Sequence, residues 1–182
     1  MKKIAVIGCP GAGKSTLSKK LGESLEIEVF HLDRLYWKPG WVETPREDLR
    51  AIQEQIVKQD TWIIDGNFSG TLDIRLEAAD TIVFLDVPRI KCCYRVLKRR
   101  FMYHGKTRPD IGEGCPERIP LEFLRYVWKF QNDQRPQLLE RLSRLDHQKC
   151  MITLSSEKDI DLFLELANQE RILREEISAS KL

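Results

Sequence analysis

Gly8-Cys9-Pro10-Gly11-Ala12-Gly13-Lys14-Ser15 is the stretch on which the reading of this 182-residue chain turns. It fits G-x-x-x-x-G-K-[ST] at every fixed position. It follows the β-branched run Ile4 to Ile7 and opens a segment with Leu17, Leu21 and Leu25 at helical spacing. A strand that turns through glycines into a helix in this pattern is a phosphate-binding loop. The glycines let backbone N–H groups turn inward and approach phosphate oxygens with no Cβ in the way. In this reading Gly8, Pro10, Gly11, Ala12 and Gly13 cradle the phosphates of ATP, and Lys14 reaches the β- and γ-phosphates. The Ser15 hydroxyl ligates Mg²⁺, and the helix N-terminus adds a favourable dipole. Thr16 is placed to assist, although a hydroxyl in a first helical turn also serves simply as a helix start.

Outward from the loop, composition narrows the alternatives. A chain of this length at 42% hydrophobic content supports one core and is too short for two ordinary domains with a linker. Thirty Lys and Arg against 28 Asp and Glu leave a formal net charge of +2, so any basic site is local rather than a global nucleic-acid or membrane signal. The apolar run after Met1-Lys2-Lys3 is interrupted by Gly8, Pro10 and Lys14 before it reaches the length of a secretion signal, and no transmembrane run follows. The five cysteines are odd in number and lack C-x-x-C spacing, which disfavours a disulfide framework or a zinc site. A reducing, cytoplasmic setting is expected.

Five short apolar runs recur between helical segments: Ile4 to Ile7, Ile27 to His31, Trp62 to Ile64, Thr81 to Leu85 and Cys150 to Leu154. That alternation predicts an α/β fold whose five-stranded parallel sheet is covered on both faces. Thr44, Pro45 and Glu47 read as a capping box ahead of Leu49, Ile52 and Ile56, and Ser156 with Asp159 as a second one ahead of Ile160, Phe163, Leu164 and Ala167. Ile90, Cys93, Leu97 and Phe101 predict the buried face of a further helix. The glycine- and proline-rich stretch from His104 to Pro116 is too long for an ordinary connection and is the lid candidate, taken as about 104–117. A short substrate-binding insertion is expected at about 33–43.

Beyond the loop, His31-Leu32-Asp33-Arg34, Ile63-Ile64-Asp65-Gly66 and Leu85-Asp86-Val87-Pro88 occur in the order and spacing of adenylate kinases. The chain resembles that group of P-loop kinases. It resembles more fully, over nearly its whole length, the small bacterial proteins labelled DNA topology modulation proteins, through Leu-Asp-Arg-Leu-Tyr-Trp, Asp-Gly-Asn-Phe and Arg-Pro-Asp with Gly-Cys-Pro-Glu. The kinase resemblance implies the three-layer P-loop NTPase fold with a lid insertion. It also implies that Arg95 packs on the adenine and Arg99 contacts the transferring phosphate, since they fall seven and eleven residues after Pro88. Tyr36 and Ser69 stand where adenylate kinases carry the arginines that hold AMP, so the implied acceptor is not ordinary AMP. The label of the second group names an effect on DNA supercoiling and supplies no mechanism.

Asp33 ends a predicted strand, where open α/β sheets place ligands; it is read as a base toward an acceptor hydroxyl or a Mg²⁺ ligand, with an Asx turn or helix cap as the alternative. Asp65 is read as a Mg²⁺ ligand through water, and Asp86 as a cap of the following helix. From Arg89 to Arg108 there are eight Lys or Arg residues and no Asp or Glu. That run serves a polyphosphate site, with Arg108 reaching in from the lid, or a DNA surface, or a solvated helix face. Tyr36, Trp37, Trp41 and Phe68 either stack on a substrate ring or anchor their loops. Together the residues predict transfer of the ATP γ-phosphoryl group to an unidentified small acceptor, with Lys14, Asp33, Arg99 and Arg108 as the catalytic set. The rival is a nucleotide-dependent DNA-binding protein of weak or no kinase activity. Oligomeric state is left open.

Overall fold

The computed structural model describes residues 1–145 and 149–179, with side chains described as far as 173. The chain runs β1 (Lys3–Gly8), α1 (Lys14–Leu25), β2 (Val29–His31), α2 (Leu32–Tyr36), β3 (Trp37–Lys38), β4 (Val42–Glu43), α3 (Arg46–Ile56), β5 (Trp62–Asp65), α4 (Leu72–Ala78), β6 (Thr81–Leu85), α5 (Arg89–Met102), α6 (Leu121–Asp133), α7 (Arg135–Ser143), β7 (Cys150–Leu154) and α8 (Glu157–Ala179). All five apolar runs become strands of one parallel sheet in the order β2-β5-β1-β6-β7. The second strand starts at Val29, two residues later than its apolar run suggests.

Burial explains the composition of the strands. Ile4 to Ile7, Trp62 to Ile64 and Ile82 to Leu85 are essentially inaccessible, as strands covered on both faces must be. The connection from β1 to β2 crosses the sheet one way and that from β5 to β6 crosses it the other. Right-handed crossovers therefore put α1 and α4 on opposite faces. The last helix, α8, packs on α1. The result is a three-layer α/β P-loop fold with the phosphate loop at the carboxyl end of its central strand.

The expected capping box at Ser156 and Asp159 forms: Asp159 Oδ2 accepts from the N–H of Ser155 and Ser156, and Ser156 Oγ accepts from the N–H of Asp159. The other does not. Thr44 is buried and donates its hydroxyl to the Leu35 carbonyl at 3.0 Å, which leaves Pro45 as the uncapped start of α3. The apolar face expected on α5 is also corrected. Its buried residues are Cys92 and Val96, whereas Ile90, Leu97 and Phe101 point to solvent and Cys93 is half-buried. The reason lies in what α5 packs against: Gly11 of the loop abuts the Cys92 carbonyl and the Val96 side chain, and α6 also packs on α5, so the Cys92 and Val96 face is the one turned inward. Among the described residues, no helix is long and apolar enough to cross a membrane.

Candidate active site

Pro10, Gly11, Gly13, Lys14 and Ser15 of the loop line one cavity of about 1110 Å³ together with Asp33, Asp65, Arg95, Arg99 and Arg108, whereas Gly8 and Ala12 are not on its wall. The sequence scatters these groups over nearly a hundred positions. The sheet gathers them because β1, β2 and β5 all end at the same edge, with His31 in register with Asp65 and Val6 with Asp65.

Gly8, at φ +144°, passes so close to β6 that a Cβ there would lie 2.5 Å from the Leu85 carbonyl oxygen. Only glycine lets the loop leave the sheet at this point. Asn67 then clamps the turn: its Oδ1 accepts from the Gly8 N–H at 3.0 Å and its Nδ2 donates to the Gly8 carbonyl at 2.8 Å. Lys14 donates to the carbonyls of Gly8 and Cys9 at 2.9 and 3.2 Å, so its ammonium hangs across the mouth of the loop. Ser15 and Thr16 stand beside it on the cavity wall. The Cys9 thiol is raised by a hydrogen bond with Cys92 and by burial, which keeps it neutral and unreactive.

Two carboxylates face this loop. Loss of hydration raises the Asp33 carboxyl above its ordinary value, and Lys14 and Arg108 pull it back only in part. Asp65 is buried, and its Oδ2 accepts a 2.9 Å hydrogen bond from His31 Nδ1 when the imidazole carries its proton there. Burial pushes His31 down, but the Asp65 hydrogen bond and charge outweigh it and the net direction is up. One hydroxyl with one or two carboxylates beside a phosphate loop is a donor set that suits Mg²⁺, which keeps most of its remaining positions for water and phosphate. Ser15, Asp65 and Asp33 therefore fit that ion.

The arginines do not lie on one outward surface. Arg95 donates to the Ala12 carbonyl at 2.9 Å and to Glu157 at 2.7 Å, tying the loop to the start of α8. Arg99 donates to Glu117 Oε1 at 3.0 Å, while Arg108 Nε lies 2.6 Å from Glu117 Oε2 in a charge contact off the hydrogen-bond line. Arg108 also donates to Asp110 at 2.8 Å. Glu117 and Arg108 are buried. One carboxylate thus joins the helix arginine to the arginine of the 104–117 segment.

That segment is fastened to the β3–β4 hairpin. The Gly40 N–H donates to the Gly114 carbonyl, Trp41 Nε1 to the Pro116 carbonyl at 3.1 Å, and the Cys115 thiol to the Lys38 carbonyl. Arg118 lies over the Trp41 ring at 4.6 Å. The aromatic residues left open by the sequence pack edge-on or tilted against one another, from Phe68 through Tyr36 and Trp37 to Trp41. Trp37, Trp41 and Phe68 also present surface to the cavity.

Asp86 is not a helix cap. It takes a two-pronged bridge from Arg135 at 2.6 to 3.1 Å, linking β6 to α7, and α5 starts at Pro88 without a side-chain cap. Arg75 is buried under the Asp65-Gly66-Asn67 turn and donates to the Gly66 and Asn67 carbonyls at 3.0 and 2.7 Å. His31, Asn67, Arg75, Asp110 and Glu117 were not among the residues the sequence motifs singled out for the site. For His31 the available signal was its place at a strand end beside Asp65, which needs the strand order to be read.

Fold and loop together define a P-loop nucleotide-binding architecture, and comparison with known proteins agrees. No protein-family model matches the chain. It is 28% identical over 157 residues to the uncharacterized protein YqaC of Bacillus subtilis, covering 85% of this chain and 84% of that one. It is 27% identical over 117 residues to a putative adenylate kinase of Pyrococcus abyssi and 29% identical over 117 residues to one of Thermococcus gammatolerans. Those two matches cover 60% of this chain and 59% and 60% of the relatives. Among solved structures, the shikimate kinase of Acinetobacter baumannii in complex with shikimate superposes with a TM-score of 0.54 at 17% identity, over 98% of this chain and 94% of that one. A putative kinase from Chloroflexus aurantiacus gives 0.51 at 17% identity, over 91% and 96%. These likenesses establish the fold.

Proposed function

We propose that the chain is an ATP-dependent phosphotransferase that moves the γ-phosphoryl group to a small acceptor. The observation that carries this reading is the convergence on one cavity of the phosphate loop, two inward-turned arginines and the carboxylate of Asp33, which was expected at a strand end and stands in the first turn of α2, just past β2, with its pKa raised. The names borne by two relatives and by the superposable structures, putative adenylate kinase and shikimate kinase, support the same class.

In this reading the loop N–H groups and Lys14 hold the triphosphate, and Ser15 and Asp65 would hold Mg²⁺, which would supply positive charge against the phosphates. Asp33 accepts the proton of the acceptor hydroxyl; its raised pKa brings it nearer to the working range of a general base. Arg99 and Arg108 stabilise charge developing on the transferring group, and the docked 104–117 segment acts as a lid that keeps water out. The insertion at about 33–43 forms the acceptor wall, and Tyr36 and Ser69 support an acceptor other than AMP. The basic run gives weaker support to a DNA surface, because Arg95, Arg99 and Arg108 are spent on inward contacts.

The test is Lys14→Ala with ATP·Mg²⁺ and a panel of nucleosides, nucleotides and phosphate-accepting metabolites, reading ADP release and labelled product. One unit charge near 4 Å from a phosphate is worth about 4 kcal/mol near a protein surface. ATP binding should therefore weaken at least about 100-fold. Unchanged ATP affinity would refute the assignment of the loop.

A further inference from the structure

Two helices leave matching faces on the surface. On α5, Ile90, Tyr94, Leu97 and Phe101 recur at i, i+4, i+7 and i+11 and form one apolar ridge, with Ile90 69% and Phe101 81% exposed. Exposed Lys91 and Lys98 flank it. On α8, Leu162, Leu166 and Leu173 recur at i, i+4 and i+11, all more than half exposed, with exposed Gln169 at i+7. Exposed Asp161 and Glu165 flank that ridge. Both ridges extend over eleven residue steps, about 17 Å of helix. They share length and spacing and carry opposite charge.

A single exposed leucine needs no explanation, but the unbroken α5 ridge of four large apolar side chains and the α8 ridge of three leucines, interrupted by Gln169, mark an interaction surface. We infer that the occupant of each ridge is the other ridge on a second copy of this chain: α5 of one protomer packs on α8 of its partner, and α8 on the partner's α5. A two-fold axis makes both contacts at once and closes the assembly as a dimer. Charge decides the pairing. Packing α5 on α5 sets lysines against lysines, and α8 on α8 sets carboxylates against carboxylates; only the crossed arrangement places Lys91 and Lys98 beside Asp161 and Glu165. Within one protomer the 2.7 Å bridge from Arg95 to Glu157 brings the start of α8 beside α5.

The experiment is sedimentation equilibrium on the full chain from about 1 to 200 μM, a range that brackets a micromolar association. Wild-type protein should form a dimer that weakens with added salt. The variants Lys91→Glu/Lys98→Glu and Asp161→Lys/Glu165→Lys should each be monomeric. Their equimolar mixture should dimerise again, because in the heterodimer both crossed contacts regain opposite charges, and the variant carrying all four substitutions should dimerise alone. Recovery on mixing also shows that each variant is folded. A wild-type monomer across the range, a dimer indifferent to either charge reversal, or a mixture that stays monomeric overturns the inference.

Discussion

A single methyl group at Gly112 should release the 104–117 segment from the β3–β4 hairpin. A Cβ built on Gly112 overlaps the Trp37 carbonyl oxygen and lies 3.1 Å from its carbonyl carbon, and both are backbone atoms that cannot rotate away. Overpacking of that kind costs about 1–3 kcal/mol or more. Against it stand the hydrogen bonds of Gly114, Pro116 and Cys115 to the hairpin, worth about 0.5–1.5 kcal/mol each. The arginine over Trp41 adds about 0.5–1 kcal/mol. Cost and attraction are of the same size, so Gly112→Ala should shift a substantial share of molecules to the undocked arrangement. The assay is limited trypsin digestion, because Lys106 and Arg118 flank the contact, read beside the emission of Trp37 and Trp41. Cleavage after these residues should accelerate about tenfold for each 1.4 kcal/mol of docking lost. ATP affinity should stay within about threefold if the loop binds on its own. A variant that is folded, cleaved at the wild-type rate and unchanged in emission would show that the two segments are not held by this contact.

Three further outcomes are expected. Asp33→Asn should reduce phosphoryl transfer about 10²- to 10⁴-fold while ATP titration is unchanged, and the acid limb of the wild-type rate profile should lie above the ordinary carboxylate range because Asp33 is raised. Asp80 is pushed up by burial but brought below its ordinary value overall by bonds from the Thr81 hydroxyl and the Lys3 and Lys2 N–H groups. Its contribution is present above the unfolded carboxylate range and lost as pH falls through the depressed value. After allowance for solvent screening, Asp80→Asn should cost about 1 kcal/mol near neutrality and about nothing once pH has fallen below the depressed value, read as a melting difference of about 2–4 °C that vanishes in acid. Gly11→Ala forces a non-glycine residue to φ +83° and pushes a methyl onto Cys92 and Val96, so it should weaken ATP binding about tenfold or more, measured by equilibrium titration.

The strands and the phosphate loop were legible because their signals are local: an apolar run, then glycines at fixed offsets, then a helical period. Failure came where a pattern admits two answers. The α5 sequence satisfies helical spacing through Ile90, Cys93, Leu97 and Phe101 and equally through Cys92 and Val96, and only the neighbouring loop and α6 choose the second. Thr44 and Asp86 have the chemistry of caps, but each finds a partner distant in sequence, Leu35 and Arg135. Glu117 lay within the lid read from the sequence, yet nothing in its surroundings said that it would be buried between two arginines.

That carboxylate changes how the site meets an incoming anion. Arg99 and Arg108 share Glu117, and Arg108 holds Asp110 as well, so the two cations are already neutralised inside the protein. An oxyanion that reaches them enters by substitution: each bond it gains is one that a carboxylate gives up. The exchange conserves local charge, which makes it less sensitive to ionic strength than capture by free arginines, and it releases Glu117 to turn elsewhere. Arrival of the anion at Arg99 and Arg108 and departure of Glu117 from between them are then one event seen from its two ends.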